Sequence, residues 1–139
     1  MDQIHLDIVT PERLAYSEDV HFVSVPTTNG TLGILPKHTN LVSQLVEGEI
    51  KIETNGKEMY LAIGGGFMEV TKDHILILVS RAYNADELNE SEIKKAYVAA
   101  KEALSQKGKA ADYAAAQAIL RRSTVELHVL RRKKPRLTM

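Results

Sequence analysis

Ile50-Lys51-Ile52-Glu53-Thr54-Asn55-Gly56-Lys57-Glu58-Met59-Tyr60-Leu61-Ala62-Ile63 is the stretch that decides the fold. Ile50 and Ile52 alternate with Lys51 and Glu53, and Met59, Leu61 and Ile63 alternate with Glu58, Tyr60 and Ala62. A period of two marks a half-buried strand, because successive side chains leave a strand on opposite faces. Asn55-Gly56 between two such runs predicts a β-hairpin, since a type I′ turn needs positive φ at both central residues. The same period extends outward. Ile4, Leu6 and Ile8 alternate with His5, Asp7 and Val9 until Thr10-Pro11 breaks the run. Residues 20–25 read as a second strand, followed by the turn Thr28-Asn29-Gly30. Phe67–Val70 and Ile75–Val79 flank the turn Thr71-Lys72-Asp73-His74. Many short strands with no helical pattern between them predict an antiparallel β-sandwich or barrel.

After about residue 84 the period changes. Asn89 with Glu92 reads as a capping box, the Asn side chain accepting from the amide three residues on. Ile93, Ala96, Tyr97, Ala100 and Leu104 then follow helical spacing up to Ser105–Lys109, where Gly108 is the expected C-cap. A second helix is expected from about Asp112, with a stripe of Tyr113, Ala116, Leu120, Thr124 and Leu127, then Leu130 or Arg131. The predicted architecture is therefore α+β, an N-terminal antiparallel β-sandwich over 1–84 and an antiparallel two-helix hairpin over 85–139. Ala-rich seams bury little apolar surface, at about 25 cal/mol per Å², so the hairpin reads as a mobile element that is stable when docked.

Composition narrows the function. The chain has 139 residues, 44% hydrophobic and 26% charged, an ordinary balance for one globular protein with an appendage. It contains no cysteine, which excludes disulfides and thiolate metal sites. Met1-Asp2-Gln3-Ile4-His5 has neither a basic lead nor an apolar core, so no signal peptide is expected. No window approaches the roughly 18 apolar residues of a membrane span, so any membrane contact is expected to run through a partner. Eighteen basic and 18 acidic residues cancel, yet residues 121–139 hold seven cations (Arg121, Arg122, Arg131, Arg132, Lys133, Lys134, Arg136) against Glu126 alone. A tail this polarised suits an acidic protein surface. Nucleic acid is not expected, because the last aromatic is Tyr113 and no base-stacking residue is interleaved with the cations.

Catalytic readings fare poorly. His5, His21, His38, His74 and His128 match no ligand spacing, with His74 read in a turn, so no metal site is expected. Gly64-Gly65-Gly66 leads into a strand, whereas a phosphate cradle leaves a strand and opens a helix. It reads as a place where two backbones come close. Asp86/Glu87 and Glu90/Glu92 sit where a helix macrodipole favours negative charge. No catalytic residue is expected. A ligand-sensing β-sandwich with a helical lid and a β-barrel metalloenzyme remain as alternative classes.

Three segments together resemble one family. Ile8-Val9-Thr10-Pro11 precedes Tyr16 and Asp19-Val20; Gly33-Ile34-Leu35-Pro36 precedes His38; Gly65-Gly66-Phe67-Met68-Glu69-Val70 precedes Ile77-Leu78-Val79 and Ala82, with Asp112-Tyr113 beyond. In order and spacing they resemble the epsilon subunit of the bacterial F-type ATP synthase. The resemblance implies a ten-stranded sandwich attached to the gamma subunit at the foot of the central stalk. It also implies contact with the ring of c subunits through the turn at Thr28–Thr31 and the loop around His38–Leu41, with Thr31 and His38 as partner-binding residues. The hairpin would inhibit ATP hydrolysis by extending toward the catalytic beta subunits (and alpha), using Arg121, Arg122, Arg131, Arg132, Lys133 and Lys134. The implied location is the cytoplasmic face of the bacterial cell membrane, as a peripheral, non-catalytic subunit of a proton-transporting complex. Some members bind ATP through Ile/Leu-Asp-x-x-Arg-Ala. Here Leu88 matches, but Asn89, Glu92 and Ile93 replace the Asp, Arg and Ala. Glu92 repels phosphate, and Glu126 opposes Arg122, so no cofactor and weak or no ATP binding are predicted.

Overall fold

The Asn55-Gly56 turn forms as the sequence predicts, with φ of 51° and 75° at its two residues. It joins two strands paired from Gly48↔Ile63 to Thr54↔Lys57. In the computed structural model, residues 2–37, 39–106 and 110–133 are described. The chain divides into two units, 1–84 and 85–139.

The first unit holds ten strands: β1 (Ile4–Val9), β2 (Leu14–Val20), β3 (Phe22–Thr27), β4 (Gly30–Ile34), β5 (Leu41–Leu45), β6 (Gly48–Thr54), β7 (Lys57–Ile63), β8 (Gly66–Val70), β9 (His74–Val79) and β10 (Ala82–Asn84). They follow the order β10-β7-β6-β3-β5-β8-β9-β1-β2, with β4 paired to β3. The inward positions close on one core that includes Leu6, Ile8, Val23, Ile52, Leu61, Met68, Ile75 and Ile77, all essentially solvent-free. Each such side chain contributes about 1.5–3 kcal/mol on leaving water.

Three features depart from the sequence reading. Among the described residues all pairs are antiparallel except β1–β9, which is parallel. These strands lie nearly seventy residues apart, so no hairpin turn dictates their direction. Strand β2 was not signalled by alternation because only Val20 along it is buried. It is an edge strand, where side-chain pattern is weakly constrained. His74 opens β9 rather than lying in a turn, and His21 falls between β2 and β3.

The glycine run behaves as a close backbone approach. Gly64 N donates to Arg81 O at 3.0 Å and Ser80 N donates to Gly65 O at 3.1 Å. A Cβ on Gly66 would overlap the Leu78 carbonyl oxygen, so only glycine lets β8 and β9 pair here.

In the second unit a 3₁₀ turn (Ala85–Glu87) precedes α1 (Glu90–Ser105) and α2 (Ala110–Lys133). Asn89 caps α1, its side chain accepting from Glu92 N at 3.1 Å. Ile93, Ala96, Tyr97, Ala100 and Leu104 lie buried or half-buried, as their spacing predicts. The α2 stripe differs from the expected one. Ala116, Leu120, Ser123, Leu127 and Leu130 carry it, whereas Tyr113 and Thr124 are exposed. Thr124 donates its hydroxyl to Leu120 O at 2.7 Å. Ser123 and Glu126 are buried too, positions that a search for apolar residues passes over. Gly108, the expected C-cap, lies outside the described residues.

Candidate functional site

The strand register arranges the outward side chains of β2, β1, β9, β8 and β5 into rows. One row runs Val9, Leu78, Phe67, Gln44; the next runs Ser17, Asp7, Leu76, Glu69, Val42; the third holds Asp19, His5 and His74. Within the first two rows Val42, Phe67 and Leu78 form an exposed apolar band interrupted by the polar Gln44 and Glu69. Val42 is 70% exposed, Phe67 59% and Leu78 48%. Phe67 and Leu78 are direct cross-strand partners. Beside them a shallow depression of about 370 Å³ opens between Val9, Pro11, Gly65 and Ser80. Its lining is almost wholly apolar. An exposed apolar patch on a sheet face marks a place where another protein sits.

The third row is polar. His5 Nδ1 lies 2.8 Å from Asp19 Oδ1, and His74 Nε2 lies 2.8 Å from Asp7 Oδ2. His5 Nε2 faces Asp7 Oδ1 at 3.3 Å and Ser17 Oγ at 3.2 Å. The two imidazoles stack, their centroids 5.7 Å apart and their planes 12° from parallel. The hydrogen bond to Asp19 raises the His5 pKa above its ordinary value. Asp7 is held below the usual carboxylate range, first by the Ser17 hydroxyl and then by His74. His5, Asp7 and His74 offer ligand atoms that all lie within 4.8 Å of one another. Sequence spacing kept these histidines apart, and only the β1–β9 pairing brings them together.

The contact residues expected from the resemblance are dispersed. Thr31 is exposed near the turn end of β4, opposite Pro26. The loop after Ile34 leaves the other end of that strand, with Leu35 exposed. His38 and Lys134 lie outside the described residues. Arg121, Arg122, Arg131 and Arg132 are all exposed on α2, and Lys133 is its last residue. Arg121 and Arg132 are eleven residues apart and share a face to within about 20°, while Arg131 stands on a different one. Arg122 Nε lies 3.6 Å from Glu126 Oε1, an i,i+4 pair on α2. Of the degenerate nucleotide segment, Asn89 is engaged as the cap, Glu92 is exposed and Ile93 is buried in the hairpin. The apolar band went unread in the sequence, although Leu76 and Leu78, alternating with Ile75, Ile77 and Val79, make β9 apolar on both faces.

Ser17, His5 and Asp19 stand in hydrogen-bond sequence on the outward face of the sheet, and among the described residues no helix is long and apolar enough to cross a membrane. A sandwich that exposes Val42, Phe67 and Leu78 on its outward face, followed by a cationic hairpin, has the surfaces of a protein that works through contacts with other proteins. Residues 3–85 match the family described as ATP synthase, Delta/Epsilon chain, beta-sandwich domain. The chain is 41% identical to the ATP synthase epsilon chain of Herpetosiphon aurantiacus, over 96% of this chain and 98% of that one. It is also 41% identical to that of Chloroflexus aggregans, over 91% of each. A chain in the Euglena gracilis mitochondrial ATP synthase structure (OSCP/F1/c-ring) superposes with a TM-score of 0.80 at 26% identity. It covers 91% of this chain and 79% of that one. The chain belongs to the ATP synthase epsilon chain family.

Proposed function

We propose that this chain is the rotor subunit of an F-type ATP synthase that seats on the gamma subunit beside the c-ring, its sandwich docked through the Val42–Phe67–Leu78 band. Rotation driven by ion flow through the c-ring then reaches the catalytic sites through a stalk of which this chain is part. The observation that carries the docking is the exposed Phe67–Leu78 pair, two apolar side chains in direct cross-strand register on the outward face. An apolar cross-strand pair kept in water gains its stabilisation when a partner covers it.

The hairpin supplies regulation. Its exposed arginines along α2 suit acidic segments of the beta and alpha subunits, where complementary charge sets orientation and a salt-sensitive on-rate. Engagement of those segments opposes rotation in the hydrolysis direction. ATP is not a ligand of this hairpin, or is a weak one: the Asn89 carboxamide is occupied at the cap, Glu92 carries the wrong charge, and Arg122 faces Glu126. The complex is placed at the cytoplasmic face of the bacterial cell membrane, with this chain peripheral to it.

The test is reconstitution of the complex with a chain ending before Leu88. Stalk assembly should persist and ATP hydrolysis should rise, most clearly at low salt. Unchanged hydrolysis removes the inhibitory role, and loss of assembly removes the division of labour between the two units.

A further inference from the structure

The row Asp19, His5, His74 is built by register. His5 of β1 pairs with His74 of β9 and with Asp19 of β2, and Asp7, one outward position further on, pairs with Ser17. Five side chains from three adjacent strands thus point the same way. Strands hold ligands more rigidly than loops, which is what a metal site requires.

The hydrogen bonding inside the cluster turns one ring nitrogen of His5 toward Asp7 and Ser17 together. The Asp19 carboxylate only accepts, so the proton on neutral His5 is at Nδ1, donated over 2.8 Å. Nε2 of that ring then presents a lone pair. It faces Asp7 Oδ1, a second acceptor, at 3.3 Å. The Ser17 hydroxyl, 3.2 Å from the same nitrogen, or a second proton on the ring can fill this position, and a divalent ion can take the place of either. An Asp19–His5 hydrogen bond with the far nitrogen free is also the arrangement that orients a metal-bound imidazole.

Distances agree. Zinc bonds of roughly 2.0–2.1 Å in tetrahedral geometry place ligand atoms about 3.3 Å apart. Asp7 already lies 2.8 Å from His74 Nε2 and 3.3 Å from His5 Nε2. No pair in the trio exceeds 4.8 Å. Closing the remaining gap takes a small rotation of side chains that are 24–40% exposed. Two imidazoles and one carboxylate select a borderline transition ion over Mg²⁺ or Ca²⁺, which prefer all-oxygen sets. Ser17 or water completes the shell.

We propose that His5, Asp7 and His74 form a binding site for a divalent ion of the Zn²⁺ class on the outward face of the sandwich, with Asp19 positioning His5. The ion ties β1 to β9, the one parallel pair of the sheet, and so anchors the N-terminal strand. It lies on the same face as Phe67 and Leu78, its ligand Asp7 standing in the row next to theirs.

The test titrates the full-length chain with Zn²⁺ by calorimetry and with Co²⁺ by its visible absorption. One equivalent should bind, with absorption in the tetrahedral or five-coordinate range. His5→Ala and His74→Ala should each weaken binding at least tenfold, and Asp19→Asn by about ten- to a hundredfold or less, as for lost outer-shell partners. His21→Ala and His128→Ala should leave it unchanged, and Mg²⁺ should give no signal. Zn²⁺ should raise the melting temperature of the parent and not of the His5→Ala/His74→Ala double variant, whose exposed substitutions leave the core intact. Absence of saturable Zn²⁺ binding overturns the proposal, as does binding that survives in the double variant.

Discussion

Phe67→Ala separates docking from folding. The ring is 59% exposed on the outward face of β8, in register with Leu78 of β9. A buried aromatic side chain covers about 150–250 Å², so a covering partner removes roughly 90–150 Å² of this ring from water. At about 25 cal/mol per Å² that corresponds to about 2–4 kcal/mol, or about 30- to 700-fold in affinity. The figure is a ceiling, because association and side-chain ordering consume part of it. The isolated chain should hardly notice, since an exposed surface substitution costs within about 0.5 kcal/mol. Binding of the purified gamma subunit, measured by calorimetry or surface plasmon resonance, should therefore weaken steeply while the melting temperature stays put. Leu78→Ala should weaken binding as well, and the double variant should fall short of the summed losses because the two side chains touch the same partner surface. Lys57→Ala, at the β6–β7 turn, is the control. A change in affinity of less than threefold for Phe67→Ala, with folding intact, would refute the docking face.

Other expectations follow from local geometry. Gly66→Ala drives a Cβ into the Leu78 carbonyl and should destabilise the sandwich by about 1–3 kcal/mol in urea unfolding. Asn89→Ala removes the acceptor for Glu92 N and should cost about 1 kcal/mol, read as earlier loss of helical circular dichroism. Tyr16 is pushed up to about 12, first by burial and then by Glu18, against an ordinary value of 10.0. Between those values the unfolded chain gives up its proton before the folded one, so stability falls as pH rises from about 10 towards 12. Tyr16→Phe should flatten that decline; an identical pH profile for the two proteins would remove the assigned cause.

Much of the fold was legible because local chemistry dictates it. Asn55-Gly56 with alternating flanks specifies a hairpin within one short window, and Asn89 with Glu92 marks the start of α1 for the same reason. Strand β2 escaped because it lies at an edge with almost nothing buried. The α2 stripe was misplaced at Tyr113 and Thr124, both exposed, and Ser123 was passed over because a small polar residue at a close helix seam leaves no apolar signal. The contact residues read from the resemblance were scattered along β4, its following loop and α2, while the apolar band on β5, β8 and β9 was overlooked.

Sequence alone therefore determined the strand periods, the hairpin turns, the helix start and the family, each carried by residues close together in the chain. Tertiary structure decided what distant strands share. Pairing of β1 beside β9 places His5 against His74, and pairing of β8 with β9 sets Phe67 on Leu78 in solvent. No local rule contains those registers. They follow from which strand must cover which part of the core, a choice made by the whole sheet at once.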